Sequence, residues 1–218
     1  MLLRWLNFLK DRKIILASGS KQRINLLKEM GLVFESKTSD FPENLEKTNP
    51  KDYVEKTSFK KFEEFLKHSK DLEIDILITA DTIVEHEGKI LEKPENKSDI
   101  YEWFEEYSKG MVICHTSVVI AIINNQNKSE NLDKKEILNS IQFTNSTEVY
   151  FDEITKEMVS DYIETGEPFN KAGGFAIQGL GRVFIKKING CYYNVVGFPI
   201  QEFAVRFTKL LEETYGKI

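Results

Sequence analysis

ILASGSKQRINLLKEMG, residues 15–31, runs from an apolar stretch through a serine- and glycine-bearing turn into a helical spacing. Ile14 to Ala17 form a short strand of the buried kind. Ser20 supplies a helix N-cap, Ile24, Leu26, Leu27 and Met30 fall on one helical face, and Gly31 is a stop signal. This strand–turn–helix unit sets an α/β architecture. It also holds a local contradiction: Lys21 and Arg23 sit in the first helical turn, where the backbone dipole favours negative charge. Either both side chains point into water, at a few tenths of a kcal/mol each, or an anion sits there. Free backbone N–H groups, the hydroxyls of Ser18 and Ser20, and the charge of Arg23 would then converge on a phosphate.

Outward from this unit, strands and helices alternate. Asn49 caps a second helix with Pro50 at its first position, Val54, Phe62, Phe65 and Leu66 as its buried stripe, and an end near His68. IDILIT, residues 74–79, reads as an interior strand that ends or bends at Ala80, Asp81 and Thr82. A turn at Gly88 leads to Ile90 and Leu91. Residues 98–109 have helical spacing, and TSVVIAII, 116–123, is a second buried strand. Residues 124–139 are polar and rich in Asn and Lys, the composition of a loop insertion or hairpin tip. Alternation resumes at Ile141, a helix follows through Met158, Tyr162 and Ile163, and Asn189-Gly190 in VFIKKINGCYYNVV predicts a type I′ hairpin. A closing helix after Pro199 buries Phe203, Phe207 and Leu210 or Leu211.

The chain has 218 residues, of which 41% are hydrophobic, enough for one substantial core and one domain. Residues 1–13 form an N-terminal extension, expected as an extra docked helix rather than a targeting or membrane-surface segment; its apolar part is too short to span a bilayer. The formal charge of −5 argues against an extended grip on nucleic acid. Two cysteines, Cys114 and Cys191, lie far apart without metal spacing, which suggests neither disulfide nor zinc and fits a reducing, cytoplasmic setting.

Three further features carry chemistry. Asp81 stands at the expected end of an interior strand, where it either caps a turn or faces a cleft beside the sheet. Lys93-Pro94 and the Lys60-Lys61 pair offer ammonium groups for it. KAGGFAIQGLG, 171–181, is too rich in glycine for a helix interior or a plain strand; it is either a bulged corner or a backbone that closely approaches a ligand, with Gln178 in its middle. His68 and His86 read as solvated, and His115 as lying at the mouth of a strand.

ILASGSKQRINLLKEMGLVFE, ADTIVEHEGKILEKP, GEPFNKAGGFAIQGLG and INGCYYNVVGFP occur in the order of the Maf family, also called Maf/Ham1-like or septum-formation-inhibitor proteins, and the chain resembles that family from about Ile14 to Phe207. The resemblance implies a single α/β domain over 14–218 with a mixed, strongly twisted central sheet, flanking helices and a deep substrate cleft. It implies hydrolysis of nucleoside triphosphates between the α and β phosphates, with a divalent cation, Mg²⁺ or Mn²⁺; homodimers occur in similar proteins, but no stripe in this sequence demands one.

Position by position, the family's phosphate loop falls on Ser18, Ser20 and Arg23, with Lys21 in place of its proline and Gln22 in place of its first arginine. Its acidic residue falls on Glu43, its helix lysine on Lys61, its Ala-Asp-Thr motif on Asp81 and Thr82, its Lys-Pro lysine on Lys93, and its glutamine on Gln178. The resemblance implies that Asp81 and Glu43 hold the metal and ready the water. Lys61, Lys93 and Arg23 would surround the triphosphate, Ser18, Ser20 and Thr82 would bind it, and Gln178 would orient it. Asn170 departs from the family's aspartate, and Val112 or a neighbour from its histidine. Glu92-Lys93-Pro94 resembles the branch acting on dTTP and UTP. The alternatives are the 7-methyl-GTP branch, or a nucleotide-binding regulator of cell division without catalysis.

Overall fold

A computed structural model describes residues 1–39, 41, 45–124 and 135–217. Strand β1 (Ile14–Ala17) is buried at every position, as its unbroken apolar run requires. It lies between the short, exposed edge strand β2 (Glu35–Lys37) and β3 (Ile76–His86), parallel to both. The described residues form a seven-stranded sheet, ordered β2-β1-β3-β5-β6-β7, with β4 (Lys89–Leu91) paired to β3 off that path. The β3–β4, β3–β5, β5–β6 and β6–β7 pairings are antiparallel, where β5 is Met111–Asn124, β6 is Glu136–Phe151 and β7 is Ile185–Asn189. The sheet is mixed, as expected. The expected insertion lies between β5 and β6: Asn124 pairs with Glu136, Ile137 and Asn139 are paired across a bulge, and 125–134 lie outside the described residues.

Helix α2 (Lys21–Glu29) follows β1, with Ser20 as N-cap accepting from the Arg23 amide. Helix α3 (Pro50–His68) has Asn49 as cap and proline at its first position. Helices α4 (Lys97–Tyr107), α5 (Lys156–Glu164) and α7 (Ile200–Tyr215) fall where the periodicity predicts; α1 (Leu6–Lys10) is a single turn and a half. One face of the sheet, with Ile14, Leu16, Ile76, Ile78, Val118 and Ile120, packs on Leu2, Trp5 and Leu9, on Leu27 of α2, and on Phe203 and Phe207 of α7. The N-terminal extension is therefore part of the main core. The opposite face, with Ile15, Leu77, Val119 and Ala121, packs on Phe62 and Phe65 of α3. No helix among the described residues is long and apolar enough to cross a membrane.

Four expectations are corrected. The strand predicted to end near Asp81 continues to His86, because β5 pairs with it without a break from Ile76 to Glu85. The residues at its predicted end are thus interior, and Asp81 and Thr82 face opposite sides by the two-residue strand period. Asn189-Gly190 makes no hairpin: only Gly190, at φ +133°, has the positive angle that a type I′ turn needs at both residues, and the chain enters helix α6 (Tyr192–Val196). Asn194 in that helix is fully buried and donates to the Cys114 carbonyl and to Thr147, which pins α6 to β5 and β6 instead. Glu87-Gly88 carries that paired positive geometry, at φ +48° and +79°, and joins β3 to β4. Finally, His115 sits well inside β5 rather than at its mouth, and His86 is half-buried with Nδ1 3.1 Å from the Met111 carbonyl.

Candidate active site

The site is set by an interruption in pairing. On one edge of β3, β1 pairs as far as Leu16 with Ile78, and β4 begins at Val84 with Leu91. Residues 79–83 have no strand partner on that edge among the described residues, and β1, α2 and the segment after β4 all end or begin beside it. Ligands of open α/β sheets bind beyond strand ends of this kind.

On the α3 side of this gap, Asp81 is 5% exposed and its Oδ1 accepts a hydrogen bond from Lys61 Nζ at 2.7 Å. Oδ2 is buried and has no hydrogen-bond partner. A buried carboxylate oxygen left open is costly, which is why nearly all such atoms are paired; this one is free to accept a further donor or a cation. Lys60, by contrast, is exposed and pairs with Glu63 on the surface, so the lysine pair divides into one inward and one solvated member.

On the opposite side, Arg23 is buried and its guanidinium is spread over three elements. Nε donates to the Gly197 carbonyl at 2.9 Å, Nη1 to Ser18 Oγ at 3.2 Å, and Nη2 to Thr82 Oγ1 at 2.8 Å. Thr82 Oγ1 also lies 2.9 Å from Thr116 Oγ1, whose hydroxyl donates to the Asn194 carbonyl at 3.2 Å. The Ser18 hydroxyl accepts the Ser20 amide at 3.3 Å, so the turn is held by its own serines. Lys21 points into solvent. Of the two cations in the first helical turn, one is solvated and the other is the tie between α2, β3 and the Gly197 turn.

Residues 92–94 and 171–181 approach from the β4 end. Tyr53 Oη donates to Glu92 Oε1 at 2.8 Å, and the Gly173 amide donates to the Glu92 carbonyl at 2.8 Å. Lys93 itself is exposed, and no described contact joins it to Asp81. Gly173, at φ +65°, could not carry a side chain, since a Cβ would lie 2.7 Å from Val84. The glycine-rich run forms two short 3₁₀ turns, Ala172–Gly174 and Leu180–Phe184, which fits neither a helix nor a plain strand. Between them, Gln178 Oε1 is buried without a partner.

Glu167 holds this run in place, a role the sequence did not suggest. Its carboxylate accepts the Gly181 amide at 2.9 Å, the Leu180 amide at 3.0 Å and the Tyr162 hydroxyl at 2.9 Å. Burial pushes its pKa up, but those three donors and the charge of Lys171 together hold it below the ordinary carboxylate value. A second unforeseen network joins Ser146 Oγ to His115 Nδ1 and His115 Nε2 to Glu85, each at 2.8 Å. The pairing of Ile83 with His115, and of His115 with Ser146, could not be seen before register was known.

The structure thus gathers Ser18, Ser20, Arg23 and Thr82 into one hydrogen-bonded cluster, and Asp81 with Lys61 into a second on the far side of the same strand segment. Glu43 lies outside the described residues. No group of three or more potential metal-ligating residues occurs among the described residues. Two surface hollows, of about 360 and 530 Å³, lie elsewhere, beside Lys37, Glu64 and His68 and beside Arg12, Phe34 and Glu73.

An open mixed α/β sheet, with a serine-capped helix start and a buried acid–lysine pair at one gap in its pairing, defines the class: a mixed α/β protein with polar clusters on both sides of that gap. The family model described as Maf-like protein matches residues 13–210, and the chain belongs to the Maf family. It is 34% identical over 197 residues to the dTTP/UTP pyrophosphatase of Fusobacterium nucleatum, covering 90% of this chain and 95% of that protein. It is 37% identical over 187 residues to the dTTP/UTP pyrophosphatase of Thermosipho melanesiensis, covering 86% and 92%. A human protein described as a probable bifunctional dTTP/UTP pyrophosphatase/methyltransferase is 36% identical over 208 residues, which cover 93% of this chain but 32% of the human one.

Proposed function

We propose that this chain is a nucleoside triphosphate pyrophosphatase acting on dTTP and UTP, which cleaves the α–β anhydride to give the monophosphate and pyrophosphate. One observation carries the reading: the open, buried Oδ2 of Asp81 beside Lys61, across one strand from the Ser18–Arg23–Thr82 cluster. Full-length relatives at 34–37% identity bear that activity in their names. Displacement at the α phosphorus needs an oriented water and neutralised charge on the departing pyrophosphate, so positioning and electrostatics dominate. In this reading Lys61 fixes Asp81 through Oδ1, leaving Oδ2 to accept a proton from the water or to hold a cation. The Ser18 turn and Arg23 receive phosphate oxygens, Lys93 screens the triphosphate from its exposed position, and Gln178 orients the substrate.

Mg²⁺, with Mn²⁺ as a substitute, suits a buried carboxylate oxygen facing phosphate. Asp81 Oδ2 fits it, with Glu43 as the second ligand implied by the family resemblance; when bound, the cation would neutralise phosphate charge. We place the enzyme in the cytoplasm, with a nucleoside triphosphate and not nucleic acid as its partner.

The test is a panel of dTTP, UTP and 7-methyl-GTP, with and without Mg²⁺, scored for pyrophosphate and orthophosphate. Pyrophosphate from dTTP and UTP supports the reading. Preference for 7-methyl-GTP moves the chain to the other branch, and tight binding without any product identifies a regulator.

A further inference from the structure

Helix α3 presents Tyr53, Thr57 and Lys61 in one row, four residues apart, about 6 Å per step along the axis. The two ends of the row are anchored at the gap in the sheet: Tyr53 reaches Glu92 and Lys61 reaches Asp81. The adjacent row lies against the sheet beside them, with Ser58 donating to Ser117 of β5 and its carbonyl accepting from Thr79 of β3. Thr57 lies midway between these two anchors, on the same row.

Thr57 is 1% exposed, and its Oγ1 has no hydrogen-bond partner. That is unusual for a helical threonine, whose hydroxyl ordinarily returns to the carbonyl one turn back. Thr208 and Thr214 of α7 do so, to Ala204 and Leu210, at 2.7 and 2.8 Å. Thr57 makes no such return bond, and its row is anchored at the gap where Asp81 Oδ2 is open as well. Two buried, unpartnered oxygens on facing elements call for a shared polar ligand.

We infer that Thr57 is a further substrate-site residue, whose hydroxyl donates to an oxygen held beside Asp81, that of the attacking water or of a phosphate. The inference rests on the proposed pyrophosphatase reading and adds a group to its site. A threonine serves here because its methyl can pack while its hydroxyl turns to the ligand.

The test compares Thr57→Val, which keeps the shape, with Thr57→Ser, which keeps the hydroxyl. Steady-state pyrophosphate release from dTTP is measured alongside thermal melting without nucleotide. Thr57→Val is expected to lower kcat/KM about three- to tenfold, the effect of one lost neutral hydrogen bond. Its melting temperature should stay equal or rise, since an unsatisfied buried hydroxyl is gone. Thr57→Ser should stay within about twofold of the parent. A loss carried by kcat assigns the hydroxyl to the water, and one carried by KM to a phosphate; both support the inference. Unchanged kinetics in Thr57→Val, or equal losses in both variants with lower melting temperatures, overturn it. If the parent protein itself releases no pyrophosphate, the proposed function fails separately. The Thr57 assignment is then judged by nucleotide-induced thermal shift, which Thr57→Val must reduce for it to stand.

Discussion

Arg23 and Gly197 are 174 residues apart in sequence, and the guanidinium Nε of the first donates to the carbonyl of the second at 2.9 Å. This bond fastens the start of α2 to the turn that ends α6, while the other two nitrogens hold Ser18 and Thr82. A lysine could not reproduce it, because an ammonium lacks the planar fork that meets three acceptors at fixed directions. Arg23→Lys should therefore cost both stability and pyrophosphate release, by at least tenfold in kcat/KM. Lys21→Ala, in solvent, should change either by less than twofold. Equal losses in the two variants would reject the placement of Arg23 at the centre of the cluster.

Asp81→Asn removes the charge that faces Lys61. Turnover should drop by roughly 10²–10⁴, the range for losing a general base. Unlike a surface exchange it should also lower stability, by about 1–3 kcal/mol, the cost of disturbing one buried charged hydrogen bond. Urea unfolding followed by circular dichroism, alongside pyrophosphate assays, separates the two effects. Near-normal turnover would remove Asp81 from the mechanism.

Glu167 makes stability depend on pH with a definite sign. Its folded pKa lies below the ordinary glutamate value of 4.5, so its contribution is present above that value and is lost as pH falls through the folded one. Glu167→Gln places an amide donor among donors. The melting-temperature gap between parent and variant should be widest at neutral pH and narrow as pH falls below about 4.5. A gap that stays constant down to pH 3 would show that the charge contributes nothing.

The two cysteines should respond differently to a thiol reagent. Cys114 is fully enclosed, and burial pushes its thiol to about 12 despite the nearby charge of Arg23. Cys191 is half-buried. One thiol per chain should be labelled by iodoacetamide at pH 8 in the native protein and two in denaturant, with peptide mapping placing the first at Cys191. Native labelling of Cys114 would contradict its enclosure.

The strand–turn–helix unit, the caps at Ser20 and Asn49, and the apolar strands were legible in the sequence because each rests on residues close together in the chain. Lys61 could be separated from Lys60 in the sequence only by resemblance, because which of the two turns inward to Asp81 depends on how α3 packs. What could not be read depended on register and on distant partners. Asn189-Gly190 carries a strong local turn signal, but Asn194 finds buried partners on β5 and β6, and that tertiary demand prevailed over the local preference. The strand break expected at Asp81 failed similarly: pairing with β5 carries a charged residue through the middle of β3. Glu167 and the Ser146–His115–Glu85 network left no signature, since their meaning lies in what they touch.

Asp81 and Thr82 are neighbours in the chain that serve opposite sides of a wall one peptide thick. Their division of labour depends on counting: deleting a single residue between Ile76 and Ala80 would leave a strand just as apolar, yet would hand the acid to Arg23 and the hydroxyl to Lys61. Chain length in this segment is thus constrained as tightly as residue identity, and frame-preserving substitutions should be tolerated there far more readily than any insertion or deletion.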